Sequence, residues 1–277
     1  MSNSIVSVKE VKFTYPGGIR AVNGVSLEIQ RGERVAILGP NGSGKSTLIL
    51  LIAGLLVPEK GEITVFNEKT TSENFQKLRQ KMGIVFQDPD DQLFTQSVIE
   101  DVEYGPKNLR LPEVNIKQRS EEVLKRIGIY HLKDRPPYRL SFGEKKKASL
   151  ATALVLKPEL LILDEPTANL DLMSRRDLLS MLNELNREET TVLVSTHDVE
   201  ALPELADRIV VISHGLVLGE GETSEVLQDL RLLGSAGLEP PAIARLFSEL
   251  KAVGLVGEVQ VTVSAALREL CNLLKRE

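Results

Sequence analysis

The residues Gly39-Pro40-Asn41-Gly42-Ser43-Gly44-Lys45-Ser46-Thr47 are the part of this sequence best suited to chemistry. Val35-Ala36-Ile37-Leu38 before them predicts a buried strand, and Leu48 to Ala53 after them predicts the start of a helix. A glycine-rich turn between strand and helix lets successive backbone N–H groups converge on phosphate oxygens at the positive end of the helix dipole. A Cβ in such a turn would block both its backbone angles and the approach of the phosphate. In this pattern Lys45 reaches the β- and γ-phosphates of a nucleotide, and the Ser46 hydroxyl ligates Mg²⁺. A glycine-rich surface turn has the same composition but not the strand and helix on either side. The stretch therefore predicts a site for ATP or GTP.

Acidic and amide groups fall where such a site needs them. Asp164-Glu165-Pro166 follows the apolar run Leu160 to Leu163. Neighbouring strand residues point to opposite faces, so both acids line one site only if the strand stops there. Pro166 is expected to stop it by removing a donor and holding Glu165 extended. Asp164 is then placed near Mg²⁺, and Glu165 lies one residue further out, where it polarises an attacking water. An acidic loop after a buried strand is the alternative.

His197 follows Val194-Ser195-Thr196 at the end of another apolar run. It is expected at the carboxyl edge of the sheet, where open α/β sheets bind ligands. There it hydrogen-bonds a γ-phosphate oxygen or the catalytic water, or it is a boundary histidine satisfied locally. Gln87 ends the short run Gly83 to Phe86 and either touches both Mg²⁺ and moving helices or is an ordinary loop glutamine. Tyr15 either stacks on a purine ring or packs against its own sheet. His131 and His214 have no comparable placement. Three dispersed histidines and one cysteine, Cys271, form no ligand cluster, so Mg²⁺ is the only metal expected.

Leu140-Ser141-Phe142-Gly143-Glu144 begins a helix predicted to run through Lys157. Ser141 with Glu144 three residues on forms a capping box, which is a complete structural account. The same helix N-terminus also offers a hydroxyl, free N–H groups and a positive dipole to a phosphate. Lys45 already holds this chain's own nucleotide, so that phosphate would belong to another subunit. Lys145-Lys146-Lys147 has no interleaved aromatic residues and reads as a solvated face rather than a nucleic-acid patch.

The elements that must position these groups follow from periodicity. Val6, Val8, Val11 and Phe13, then Val25, Leu27 and Ile29, alternate as strands around the turn Pro16-Gly17-Gly18. Gly61 to Phe66 reads as a further strand. Gln96 to Lys157 carries helical spacing, punctuated by Pro106, Pro112, Pro136 and Pro137. Leu160 to Leu163 and Thr191 to Val194 are uninterrupted apolar runs, as in strands covered on both faces. Arg208 to Ser213 and Leu216 to Gly219 read as a closing hairpin. The sum is an α/β fold: a parallel-sheet core, an N-terminal antiparallel β layer and an inserted helical subdomain, about 88–157. Residues 1–229 form the nucleotide-binding unit and 230–277 a helical extension. Its last segment, Ser264 to Leu274, spaces Ala265, Leu267, Leu270 and Leu274 as an apolar face to bury against its own core or a second copy.

With 277 residues, 34 Lys and Arg against 39 Asp and Glu, and a net charge of −5, the chain has the wrong sign for a protein held to duplex by phosphate neutralisation. No run approaches the roughly 18 apolar residues of a membrane span. Met1-Ser2-Asn3-Ser4 lacks the basic and apolar regions of a signal peptide, and a single cysteine fits a reducing compartment. A soluble cytosolic protein is expected; work at a membrane would need another chain to supply the membrane part.

The phosphate loop, Gln87, Ser141-Phe142-Gly143-Glu144, Leu160 to Glu165, Asn169-Leu170-Asp171 and His197 stand in the order of the ATP-binding-cassette (ABC) ATPases, which the chain resembles over about residues 5–228. The resemblance implies a P-loop NTPase with a RecA-like core. It also implies two cassettes closing head to tail around ATP, with Ser141 and Gly143 on the opposite subunit's γ-phosphate and Asp171 linking the two sites. Phe142 and Glu144 depart from the family's commoner glycine and glutamine. Leu-Ser-Phe-Gly-Glu followed by lysines, together with Val85 to Phe94 and Tyr104-Gly105-Pro106, resembles the energy-coupling-factor importers, especially the cobalt and nickel branch. That likeness implies a peripheral subunit on the cytoplasmic face of the membrane. It would pair with a second such ATPase, plausibly itself, and drive a transmembrane T-component beside a substrate-capturing membrane protein. A vitamin importer of the same type is the main rival. A soluble cassette protein acting on DNA or ribosomes is the distant one, since no long insertion or basic arm interrupts Gln87 to Ser141.

Overall fold

The computed structural model describes residues 4–71, 73–187 and 190–274. Met1 to Asn3 and residues 275–277, which the sequence reading assigned to its two units, lie outside the described residues. In chain order the elements open with β1 (Ser4–Tyr15), β2 (Ile19–Gln30), β3 (Arg34–Leu38), α1 (Lys45–Ile52), β4 (Lys60–Val65), β5 (Glu68–Lys69), α2 (Phe75–Arg79) and β6 (Met82–Val85). The helical stretch follows with α3 (Val98–Asn108), α4 (Glu113–Arg126) and α5 (Phe142–Leu154). The chain then returns through β7 (Leu160–Asp164), α6 (Leu172–Arg187), β8 (Thr191–Thr196), α7 (Leu202–Leu205), β9 (Arg208–Ser213) and β10 (Leu216–Glu222). It ends with α8 (Thr223–Gln228), α9 (Leu230–Ser235), α10 (Ala242–Ala252) and α11 (Val263–Leu274).

Among the described residues two sheets form, a four-stranded one ordered β2-β1-β4-β5 and a six-stranded one ordered β10-β9-β3-β8-β7-β6. The first is antiparallel throughout, as the alternation in β1 and β2 requires. In the second, β9, β3, β8, β7 and β6 run parallel and only β10 is reversed. The parallel strands β3, β7 and β8 are buried along almost their whole length, which is why they are written as unbroken apolar runs. β3 lies between β8 and β9, so the phosphate loop leaves from the middle of the sheet. Asp164 and His197 leave from the same carboxyl edge, on the next two strands.

Two expectations about helix limits are corrected. The helix expected to reach Lys157 ends at Leu154, and Lys157 adopts a positive φ of 54°. This turn brings the chain back to begin β7 against β6, where the N–H groups of both Glu159 and Leu160 donate to the Lys81 carbonyl. In the C-terminal segment, the inward face is Ala266, Leu270 and Leu273, packed with Phe247 and Val256. Of the four residues assigned to it, Leu267 and Leu274 are exposed instead. The helix is amphipathic as read, but α10 sets its rotation and presents Phe247 to the opposite flank.

The extension itself divides. Leu233 and Ala236 on α9 bury in one cluster with Ala36 and Leu38 of β3 and with β9. The separate cluster around Phe247 belongs to α10 and α11. Phe247→Ala should therefore cost this small subcore about 3–5 kcal/mol. Proteolysis is expected to open 242–274 first while ATP affinity stays at its original value. Loss of nucleotide binding along with the tail would show instead that the two clusters are one unit.

Candidate functional site

The site is built outward from the loop between β3 and α1. Two neighbouring segments and one internal bond hold that loop in place. Gly39 N–H donates to the Thr196 carbonyl at 3.2 Å, Gly215 N–H donates to the Ser43 carbonyl at 2.9 Å, and Ser43 N–H closes the turn onto Pro40 at 3.2 Å. Two glycines are required by what surrounds them. A Cβ on Gly39 would lie 2.2 Å from the Ile212 carbonyl oxygen, and one on Gly44 would lie 2.2 Å from that of Ala21. Gly44 also has φ of 102° at the start of α1, a conformation that disfavours any side chain. Asn41 and Gly42 sit exposed at the loop's rim.

The fit to a phosphate can be read from the loop's polar atoms. The Ser43 hydroxyl is buried and has no hydrogen-bond partner among the described residues, an orphan that a phosphate oxygen would satisfy. Lys45, only 6% exposed, arches over the loop with its ammonium 2.8 Å from the Gly39 carbonyl and 3.1 Å from that of Pro40. Burying that charge is costly unless strong acceptors surround it, and a triphosphate is a stronger acceptor than two carbonyls. Thr47, one turn into α1, meets the Tyr15 hydroxyl at 3.2 Å, while the Tyr15 ring stands edge-on to Phe13 with centroids 5.0 Å apart. Tyr15 thus packs within its own sheet and also borders the loop.

The carboxylates gather beside Lys45. Asp164 Oδ1 accepts from the Ser46 hydroxyl at 3.2 Å and also from the Ser195 hydroxyl of β8. Glu165 is 4% exposed and lies 3.5 Å from the Lys45 ammonium. Its carboxylate meets His197 Nδ1 at 2.9 Å and accepts from the Thr196 hydroxyl at 3.3 Å.

The route by which Glu165 arrives corrects the sequence reading. Pro166 does not hold it extended: Glu165 has φ of 44°, in the left-handed region. An extended residue after Asp164 would point to the opposite face of the sheet. The positive φ turns the chain at the strand's end, anchored by the Glu165 N–H to the Ser195 carbonyl at 3.0 Å, so both acids reach one edge. A non-glycine residue held there costs about 1–3 kcal/mol, and such strain persists only where the surroundings enforce it.

Other candidates make no hydrogen bond to this group among the described residues. Ser141 caps α5 as expected: Glu144 N–H donates to its hydroxyl at 3.3 Å, and Ser141 N–H donates to the Glu144 carboxylate at 2.7 Å. The Ser141 N–H holds the Glu144 carboxyl below the ordinary carboxylate range. Phe142 is half-buried, and a Cβ on Gly143 would lie 2.7 Å from the Ser174 hydroxyl, so glycine there lets α5 and α6 approach. Asp171 caps α6, accepting from Ser174 N–H and Ser174 hydroxyl at 2.9 Å each, and the Ser174 N–H lowers its pKa. Gln87 is exposed two residues beyond β6, at the same sheet edge as Asp164. No hydrogen bond among the described residues joins Gln87, Ser141, Glu144 or Asp171 to the Lys45–Glu165 cluster.

Ser195, Thr196 and Lys146 were not singled out by sequence reasoning. Ser195 and Thr196 left a usable signal, two hydroxyls ending an apolar run just before His197. Lys146 left none, and it corrects the reading of Lys145-Lys146-Lys147 as a solvated face: α5 turns its side chain inward, where it is 5% exposed. It is buried, and burial pushes its ammonium down to about 8 against the opposing pull of Asp164, Asp88 and Glu165.

Comparison with known proteins agrees with this geometry. The family described as ABC transporter matches residues 22–168. The energy-coupling factor transporter ATP-binding protein EcfA of Methanothermobacter thermautotrophicus is 41% identical over 272 residues, 98% of this chain and 88% of that protein. EcfA of Methanocaldococcus jannaschii is 38% identical over 276 residues, 99% of each chain. Among solved structures, cbiO1 from Clostridium perfringens, described as part of the ABC transporter complex cbiONQ, has a TM-score of 0.76 and 40% identity. The match covers 90% of this chain and all of that one. An ATP-binding cassette solved as a dimer in a post-hydrolysis state with ADP and Pi has a TM-score of 0.73 and 31% identity, over 79% of this chain and 98% of that one.

Proposed function

The chain belongs to the ABC transporter family and is an ATPase of that family; from that membership we propose that it is the motor subunit of an energy-coupling-factor importer, driving uptake of cobalt or nickel ions through a separate transmembrane component. One observation carries the catalytic part: Glu165 is turned against its strand's alternation to stand beside His197, 3.5 Å from the lysine of the phosphate loop. Strained carboxylates are found where a reaction needs them.

In this reading the N–H groups of 39–47 and Lys45 bind the phosphates of ATP. Glu165 orients a water in line with the γ-phosphorus and takes its proton, while His197 fixes the carboxylate and touches the γ-phosphate. The new P–O bond to water forms as the bond to the ADP oxygen breaks. Ser46, Asp164 and Gln87 would hold Mg²⁺, which neutralises charge on the β- and γ-phosphate oxygens when bound. The Ser46 hydroxyl and Asp164 carboxylate already stand together as hard oxygen donors, which suits that ion. Tyr15 borders the nucleotide. Lys45→Ala should weaken ATP binding about tenfold to hundredfold, the loss of one charge-assisted bond, measured by calorimetric titration. Unchanged affinity would remove Lys45 from the site.

Ser141, Phe142, Gly143 and Glu144 are assigned to a second subunit's nucleotide, with a homodimer the simplest assembly and Asp171 coupling its two sites. Among the described residues Ser141, Glu144 and Asp171 hydrogen-bond only within their own helix starts, not to the chain's own Lys45–Glu165 cluster, which supports this, as does the similar cassette solved as a dimer. Residues 1–229 would be the nucleotide-binding unit and 230–277 an extension adding to the dimer contact. No helix among the described residues is long and apolar enough to cross a membrane. The membrane path is therefore assigned to other chains, a T-component and a substrate-capturing protein, with this subunit peripheral on the cytoplasmic side. Exposed Phe94 and Tyr104, edge-to-face at 4.8 Å and following Gln87 in the chain, offer apolar surface for such contact.

The cargo reading rests on Ser-Phe-Gly-Glu with its lysines and on Val85 to Phe94. Isolating the complex from membranes and reconstituting it in vesicles tests it. ATP-dependent accumulation of radiolabelled cobalt or nickel is expected; accumulation of a vitamin with neither metal would overturn it.

A further inference from the structure

Lys146 stands in the run Lys145-Lys146-Lys147, yet it is only 5% exposed, while Lys145 and Lys147 make surface ion pairs with Asp90 and Asp177. A buried ammonium is costly and needs a compensating role. The Lys146 ammonium donates to the Phe86 carbonyl at 3.2 Å and faces the charges of Asp164, Asp88 and Glu165. No carboxylate among the described residues forms an ion pair with it. Its one hydrogen bond among the described residues falls on the backbone of the residue immediately before Gln87.

The other polar group of Phe86 is taken as well. Phe86 N–H donates to Gln92 Oε1 at 3.1 Å, and Gln92 Nε2 donates in turn to the Ser149 carbonyl at 3.0 Å and the Thr152 hydroxyl at 2.7 Å, both on α5. Gln92 Nε2 also lies 3.1 Å from the Ile84 carbonyl of β6, so the Phe86 carbonyl bonds α5 directly and its N–H reaches α5 through Gln92.

We propose that Lys146 is a positioning residue for ATP hydrolysis, fastening the backbone ahead of Gln87 to α5 so that Gln87 and the Ser141 segment move as one body. This rests on the assignment of Gln87 to the catalytic set. Lys146 touches neither nucleotide nor water in this role; it acts through the place it gives Gln87. A peg that only filled space would be served as well by an apolar side chain, because an apolar group of similar volume often replaces a buried charge at no loss of stability.

The test is a double-mutant cycle in the full chain, reading ATPase kinetics, ATP affinity and melting temperature. Lys146→Met should keep the melting temperature and ATP affinity and leave KM within about twofold, but lower kcat about tenfold to hundredfold. In a Gln87→Ala background the same change should cost nothing further. Lys146→Gln, which keeps a donor for the Phe86 carbonyl, should lie between, and it takes the place of Lys146→Met in the cycle if that variant does not fold. Full turnover in Lys146→Met with slow turnover in Gln87→Ala overturns the positioning role alone. Additive losses do the same, because Lys146 would then act independently of Gln87. Full turnover in Gln87→Ala removes the Gln87 assignment and this inference with it.

Discussion

Glu165→Gln should lower ATP turnover about a hundredfold to ten-thousandfold, the loss of a positioned general base, while ATP affinity stays within about twofold. Glutamine has the same shape, so the Thr196 hydroxyl and His197 can still bond to its amide and the strained turn at φ 44° can persist. What it cannot do is accept a proton from water. ATP should then accumulate unhydrolysed between two subunits, and light scattering should detect a dimer that needs ATP and outlasts the wild-type one. A rate within about threefold of wild type would strip Glu165 of its role, since a lost general base costs far more. Glu165→Ala is a poorer probe because it also leaves the buried Lys45 without its neighbouring carboxylate.

The second large effect is expected at Ser141. Ser141→Arg should abolish ATP-dependent dimerisation, and with it nearly all turnover, while each subunit binds ATP as before. A long cation at the start of α5 would fill the space we have proposed for another subunit's phosphate, and it removes the cap. The lost cap alone costs about 0.5–2 kcal/mol, a modest fraction of a domain's stability. Ser141→Asn separates the two roles, because asparagine caps as well as serine but presents a differently placed group. Should Ser141→Arg still dimerise and hydrolyse ATP, the residue is a cap and nothing more.

The phosphate loop was legible because its constraint is local. Gly44 opens α1 with φ of 102°, a backbone state that glycine adopts freely, so its place just before Lys45 records the turn directly. The sheet was legible for a similar reason, since strands covered on both faces are written as continuous apolar runs. The direction in which Glu165 points was not. Alternation and Pro166 both argued for an extended residue, and the bond from Glu165 N–H to the Ser195 carbonyl on the neighbouring strand decided otherwise. The face that α11 turns inward was decided in the same way, by the position of Phe247 on α10.

The sequence by itself pointed to a chain that holds a nucleotide, because the strand, the glycine turn and the lysine-bearing helix that make a phosphate cradle are written in consecutive residues. It also determined which carboxylates and histidine accompany that cradle, since each ends an apolar run at one edge of a parallel sheet. The tertiary structure alone decided that Lys146 lies buried beneath the Gln87 segment while its half-buried neighbours pair with Asp90 and Asp177. It alone placed Ser195 on Asp164 and Thr196 on Glu165. Those contacts join residues far apart in the chain, and their energy depends on distances that no local pattern of residue types encodes.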